Sequence, residues 1–119
     1  MKSIIGGGSD IRSIDVQNGA VTINYNLGAI WDEDAAVRQT SEDAIDYMKK
    51  LFQDSRVNSV TVASYGTFTD KYGKDNDEMV VKITINKDTA NKIDWNGMKD
   101  LIYSDKGHLL KISDSYSIN

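Results

Sequence analysis

The Asn18-Gly19 dipeptide, set between two stretches of alternating apolar and polar residues, is the strongest local constraint on this fold. Asn and Gly tolerate the positive φ angles that a two-residue β-hairpin turn requires. After the turn, Val21, Ile23 and Tyr25 alternate with polar residues, which is typical of a strand with one buried and one wet face. The sequence therefore predicts a hairpin formed by strands over 11–16 and 21–27.

A long amphipathic helix is predicted after this hairpin. Asp32 is a suitable N-cap, and the acidic residues that follow it favour the positive end of a helix. The apolar face then recurs at steps of three and four residues through Val37, Ser41, Ala44, Ile45, Met48, Leu51 and Phe52. This spacing predicts about five helical turns with one side turned towards a core.

The second half of the chain predicts another hairpin and further helices. Strands are expected over 60–68 and 79–85, joined by a polar loop over 70–77. Next, the sequence predicts a short helix from Asp88 through Ile93 and a turn at 95–97. A last helix follows, capped by Ser104 or Asp105, with its apolar face at Leu109, Ile112 and Tyr116. The order is ββαββα, an α+β fold with a four-stranded antiparallel sheet of two hairpins and the long helix packed on one face.

The chain has 119 residues, which suits one domain over 11–119. The Gly-Gly-Gly-Ser stretch at 6–9 predicts that residues 1–10 are a flexible linker or a remnant left by cloning. No apolar run is long enough to span a bilayer, so we expect a soluble chain that reaches a membrane through an upstream anchor that this sequence does not contain.

Composition excludes several kinds of chemistry. There is no cysteine, and His108 is the single histidine, so thiolate catalysis and sites with two imidazoles are excluded. The net charge of −4 argues against nucleic-acid binding. We expect no catalytic residue, no cofactor and no metal site, and we interpret His108 as a surface residue near a helix start. Calcium binding by the loop acids stays open; these are Asp70, Asp75, Asp77 and Glu78.

An aromatic cluster in the second hairpin is the candidate partner-binding site. It consists of Tyr65, Phe68, Lys71 and Tyr72, and glycines lie at positions 66 and 73. Aromatic side chains anchor many protein interfaces, so this cluster suits a protein or peptide partner. The alternative is ordinary cross-strand packing near a turn that needs glycine.

Three segments give the chain a resemblance to a family. They are Trp31-Asp32, the stretch from Tyr65 to Gly73, and Thr89-Ala90-Asn91-Lys92-Ile93-Asp94-Trp95. Together they resemble small uncharacterised extracytoplasmic domains, membrane-anchored or lipoprotein, of Gram-positive bacteria and their mobile elements. The resemblance covers roughly residues 11–119, although the chain ends without the aromatic-His-Pro sequence often found there. It implies a location at the cell envelope and carries no activity.

The sequence predicts a non-catalytic extracytoplasmic binding module, tethered to the cell envelope. Two alternatives remain. One is a superinfection-exclusion or immunity-type protein of a mobile element, since an acidic domain suits a basic target. The other is a small carboxylate-dependent hydrolase, which would need two acids with raised pKa values in a deep pocket. The oligomeric state does not follow from the sequence.

Overall fold

The computed structural model describes residues 11–27, 33–69 and 71–119, the side chains of residues 68 and 69 excepted. Its elements are β1 (Ile11–Gln17), β2 (Ala20–Asn26), α1 (Glu33–Leu51), β3 (Ser59–Thr69), β4 (Asp75–Asn86), α2 (Lys87–Ala90), α3 (Trp95–Ser104), α4 (His108–Ile112) and β5 (Ser115–Ile118). This mixture of helices and one sheet confirms the α+β class. The predicted linker over 1–10 and the predicted cap Asp32 lie outside the described residues.

The sheet has five strands in the order β1-β2-β3-β4-β5, so the prediction of four antiparallel strands is wrong. The first hairpin is present as predicted, with φ of 51° at Asn18 and 84° at Gly19. β2 and β3, however, are parallel, with Val21 beside Val60 and Ile23 beside Val62. The reason is α1: a helix that crosses over between neighbouring strands brings the chain back to the end where the first strand began.

The fifth strand replaces the end of the predicted last helix. Helix α4 stops at Ile112, and Tyr116 lies in β5, paired with Ile83 of β4. Asp114 explains the stop, since its carboxylate accepts hydrogen bonds from the backbone N–H of Asn86 at 2.6 Å and from Thr89 Oγ1 at 3.0 Å. Because these bonds hold the chain beside the end of β4, the next residues pair as a strand.

Two other helix boundaries differ from the prediction. The expected turn at 95–97 is the first turn of α3, because the Asp94 side chain caps this helix by accepting a hydrogen bond from the Gly97 N–H at 3.1 Å. The expected short helix from Asp88 is α2, which ends at Ala90, so Ile93 lies in the connection to α3.

The core lies between the helices and one face of the sheet. Helix α1 buries the face predicted for it, with Ala44, Met48 and Leu51 fully inside. The sheet contributes Val21, Ile23, Val60, Val62, Val81, Ile83 and Ile85, and the later helices contribute Met98, Ile102, Leu109 and Leu110. This burial confirms the alternation predicted for β2. In β4 the predicted alternation holds from Val81 to Ile85 but fails before it, because Val80 is buried and Met79 is only partly buried.

The other face of the sheet is polar. One row of facing residues crosses all five strands: Asp15, Thr22, Thr61, Thr84 and Ser115. Thr61 and Thr84 in this row share a hydrogen bond of 2.8 Å between their hydroxyls. The domain is therefore a two-layer structure, with helices over one side of the sheet and small polar side chains on the other.

Candidate functional site

Strands β3 and β4 continue beyond the strands beside them. The pairing of β2 ends with Asn26 opposite Tyr65, and that of β5 ends with Ile118 opposite Val81. Past these points, residues 66–69 pair with residues 75–78 as a two-stranded extension, here called the ribbon. Four residues of strand project roughly 13 Å, so the ribbon carries its turn well away from the body of the sheet.

Arg12 holds the base of the ribbon. Its Nη1 donates to Asp77 Oδ2 at 2.7 Å, its Nη2 donates to Asp77 Oδ1, and its Nε donates to Asn26 Oδ1 at 2.5 Å. The guanidinium also lies 4.3 Å from the centre of the Tyr65 ring. A two-pronged arginine–carboxylate pair fixes direction as well as distance, so Arg12 sets the angle at which the ribbon leaves the sheet.

The contacts between Arg12 and Asp77 shift the pKa values of both side chains. The hydrogen bonds from Arg12 lower the pKa of Asp77, and those bonds in turn raise the pKa of Arg12. Asp77 therefore stays ionised and paired over a wide pH range. Asp77 is one of the four acids considered above for calcium binding, and in this structure its carboxylate is already paired with Arg12.

The ribbon tip carries the exposed part of the predicted cluster. Tyr72 is 77% exposed, and the ammonium of Lys71 lies 5.2 Å from the centre of its ring. Gly73 follows with φ of +80°, and a Cβ built there would meet nothing within 4 Å. The tip thus presents an exposed aromatic ring with a cation beside it, as an interface anchor requires.

The structure places the side chains of three of the four predicted binding residues, and they lie in two places. Lys71 and Tyr72 lie together at the tip. Tyr65 lies at the base, where Arg12 covers one face of its ring and its hydroxyl donates to Asn24 Oδ1 at 3.3 Å. Phe68 belongs to β3, and its side chain lies outside the described part of the protein.

Sequence reasoning missed Arg12 at this site. The register of β1 against β2 shifts between Ile11 and Ser13, and this irregularity falls on Arg12. A bulge of this kind redirects one side chain on a strand. Simple alternation cannot locate a bulge, so no clear signal for Arg12 was available in the sequence.

His108 and Asp105 belong to a local cluster of ionisable groups. His108 is the first residue of α4, and its Nδ1 lies 3.6 Å from Asp105 Oδ2, which also accepts a hydrogen bond from Lys111 at 2.7 Å. The hydrogen bond from Lys111 is the main cause that lowers the pKa of Asp105. Asp105 is therefore held ionised, which does not suit a general acid.

Asp43 is the acid whose environment comes nearest to that of a catalytic carboxyl. Burial raises its pKa, but its two oxygens accept hydrogen bonds from the Tyr25 hydroxyl at 2.7 Å and from Gln39 Nε2 at 3.1 Å. Tyr25 is buried in β2 and Gln39 lies one turn earlier on α1, so hydrogen bonds within the fold account for the arrangement. Among the described residues, no group of three or more acids and histidines is placed to hold a metal ion.

Comparisons with known proteins leave the chain without an assigned family. No protein-family model matches it, no curated protein matches it, and no solved structure matches it. In the described ranges, none of the helices combines the length and the apolar character needed to cross a membrane.

Proposed function

We propose that this protein is a non-catalytic binding module that contacts a protein or peptide partner through the tip of its ribbon. The observation that carries the proposal is the ribbon itself: a paired extension, fixed at its base by Arg12, with Tyr72 exposed at its end. An exposed aromatic side chain on a fixed support loses little conformational entropy when a partner covers it.

The charges of the tip suggest which kind of surface it contacts. Lys71 lies beside the Tyr72 ring, so the tip offers one apolar face with a positive group at its side. The chain as a whole carries a net charge of −4. A partner with an apolar pocket, an acidic group near its rim and a mainly basic surface further out would match both features.

Tethering outside the cytoplasm is the second part of the proposal. It is supported by the glycine-rich stretch at 6–9 and by the family resemblance of the hairpin sequence from Tyr65 to Gly73. Cell fractionation of the native protein, followed by protease treatment of intact protoplasts, tests this location. Recovery in the protease-protected cytoplasmic fraction would contradict it.

The binding role is tested by immobilising the chain and comparing the proteins that it retains from envelope extracts. Tyr72→Ala should lose a partner that the wild type retains, because removing an interface aromatic costs a binding free energy of about 2 kcal/mol or more. Tyr103→Ala is the matched control, since Tyr103 is 65% exposed on α3 and does not belong to the ribbon. Phe68→Ala extends the test along the strand.

Every retained protein is then purified and its affinity for each variant measured directly. We expect Tyr72→Ala to weaken binding roughly 30-fold or more, which corresponds to about 2 kcal/mol, while Tyr103→Ala binds as the wild type does. Unchanged folding of both variants is checked by thermal unfolding. Equal affinity of both variants for every partner would show that the ribbon tip is not the contact surface.

A further inference from the structure

A groove of about 640 Å³ lies in the helical layer, at the end of the molecule opposite the ribbon tip. The residues that line it are Thr89, Lys92, Ile93, Asp94, Gly97, Met98, Leu101 and Ile112. They come from α2, the connection to α3, α3 itself and the last residue of α4. The volume lies within the range of about 300–1,000 Å³ that is typical of small-molecule sites.

The walls of the groove are mainly apolar. Met98 is 7% exposed and forms the inner part, whereas Leu101 is 46% exposed on the same helix. Ile93 and Ile112 pack against the core from either side. A Cβ built on Gly97 would lie 3.3 Å from the Asp94 carboxyl group, so a side chain there would crowd the cap of α3. An alkyl chain in the groove would remove the exposed surface of Leu101 from water.

The rim of the groove carries one carboxylate, Asp94, and one cation, Lys92. Asp94 accepts the Gly97 N–H at the positive end of α3, and Thr89 donates its hydroxyl to Asp114. The Thr89 hydroxyl and one oxygen of Asp94 are therefore engaged within the fold. Lys92 is exposed, and within the described ranges its ammonium has no ion-pair or hydrogen-bond partner. The polar group still able to bind a ligand is thus a cation next to an apolar surface.

We infer that this groove binds a small amphiphile with a single alkyl chain and an anionic head group. The alkyl chain would lie along Met98 and Leu101, and the head group would lie near Lys92. The groove is separate from the proposed partner surface, because residues 79–86 of β4 lie between the ribbon and α2, and eight residues of strand span roughly 26 Å. The two sites can therefore be tested independently.

The inference is tested by titrating the protein with decanoate and with decanol while recording amide and methyl NMR shifts. Decanoate, kept below the concentration at which it forms micelles, should shift the signals of Gly97, Met98 and Leu101 until they saturate. Decanol should bind more weakly because it lacks the charge that Lys92 attracts. Absence of saturable shifts at these three residues, or shifts centred elsewhere in the molecule, would overturn the inference.

Two variants separate the roles of charge and apolar contact. Lys92→Glu should weaken decanoate binding by about 5-fold or more and leave decanol binding unchanged, as expected for an exposed charge pair. Lys82→Glu is the matched control, since it makes the same charge change on the polar face of the sheet. Leu101→Gln should weaken both ligands by about 10-fold, the loss expected for part of one buried leucine.

Three results would contradict the inference. The first is that Lys92→Glu and Lys82→Glu change decanoate binding equally. The second is that Leu101→Gln leaves the affinity for both ligands unchanged. The third is that a short peptide with an apolar carboxyl-terminal residue binds more tightly than decanoate does. The last result would make the groove a peptide site. Thermal unfolding of each variant confirms that the fold is intact before affinities are compared.

Discussion

The hydroxyl pair between α1 and β3 allows a quantitative test of how the helix is held on the sheet. Thr40 Oγ1 and Ser64 Oγ lie 2.8 Å apart, and both side chains are completely buried. The Ser64 hydroxyl also lies 3.3 Å from both the backbone N and the backbone O of Val81. Removing either hydroxyl leaves its buried partner without that hydrogen bond, which costs about 1–3 kcal/mol.

The interaction free energy of this pair follows from the free energies of unfolding of the wild type, the two single variants and the double variant. Thr40→Val should lower the free energy of unfolding by about 1–2 kcal/mol, and Ser64→Ala by about 2–3 kcal/mol because its contacts with Val81 are lost as well. The double variant should lose about 1 kcal/mol less than the sum of the single variants, since neither hydroxyl is then left unpaired. Urea unfolding with an unchanged m value supplies all four numbers.

The Thr61 and Thr84 pair on the polar face is the matched control, because its hydroxyls lie at the same distance of 2.8 Å. Both side chains are partly exposed, so water can replace a lost partner. The coupling free energy between Thr61→Val and Thr84→Val should therefore stay below about 0.5 kcal/mol. The reasoning that burial strengthens the Thr40–Ser64 pair would be refuted by either of two results. One is that the stability losses of Thr40→Val and Ser64→Ala simply add in the double variant; the other is that the coupling free energies of the two pairs are equal.

Three further predictions concern backbone strain and pH. Gly19→Ala should lower the free energy of unfolding by about 2–4 kcal/mol, since φ is +84° and the new Cβ would lie 2.6 Å from the Arg56 carbonyl oxygen. Gly73→Ala should lower it by only about 1 kcal/mol, since φ is +80° but no atom lies within 4 Å of the new Cβ. Equal losses for the two variants in urea unfolding would contradict this. Burial raises the folded-state pKa of Asp43 above 3.8, so the folded protein holds a proton on this carboxyl more tightly than the unfolded chain does. Stability should therefore fall as pH rises from 3.8 through the raised pKa. The difference in unfolding free energy between wild type and Asp43→Asn should show this slope, and a difference that is flat or rises with pH would contradict it. Hydrogen bonds from Arg56 lower the pKa of Asp54 to about 2, and Arg56→Gln should return it towards 3.8 in an NMR titration of the carboxyl carbon, whereas an unchanged midpoint would show that the pair is not formed in solution.

Local patterns in the sequence were sufficient for the elements whose residues interact mainly with near neighbours. The Asn18-Gly19 turn, the buried face of α1 and the alternation in β2 all follow from periods of two or about 3.6 residues. The pairing of β2 with β3 did not follow, because alternation is the same in parallel and antiparallel strands. The topology depended on where α1 returned the chain, which is a property of the whole unit.

The last strand was missed for a different reason. Leu109, Ile112 and Tyr116 have helical spacing, yet Asp114 between them bonds to the end of β4 instead of facing solvent on a helix. Such a long-range side-chain contact overrides local periodicity. The Arg12 contact with Asp77, 65 positions away in the chain, was hidden in the same way. Short-range patterns therefore located the core, and the polar contacts that orient the candidate sites became visible only in three dimensions.

Strand β4 links the two candidate sites, and a carboxylate fixes each of its ends. Asp77 near its first residue pairs with Arg12 and directs the ribbon, while Asp114 binds the backbone of Asn86 at its last residue and directs α2 towards the groove. Between these ends the strand is buried through Val81, Ile83 and Ile85, so the middle is rigid. A packed strand of this kind transmits no large movement, and we therefore expect occupation of the groove to leave the ribbon's partner affinity unchanged.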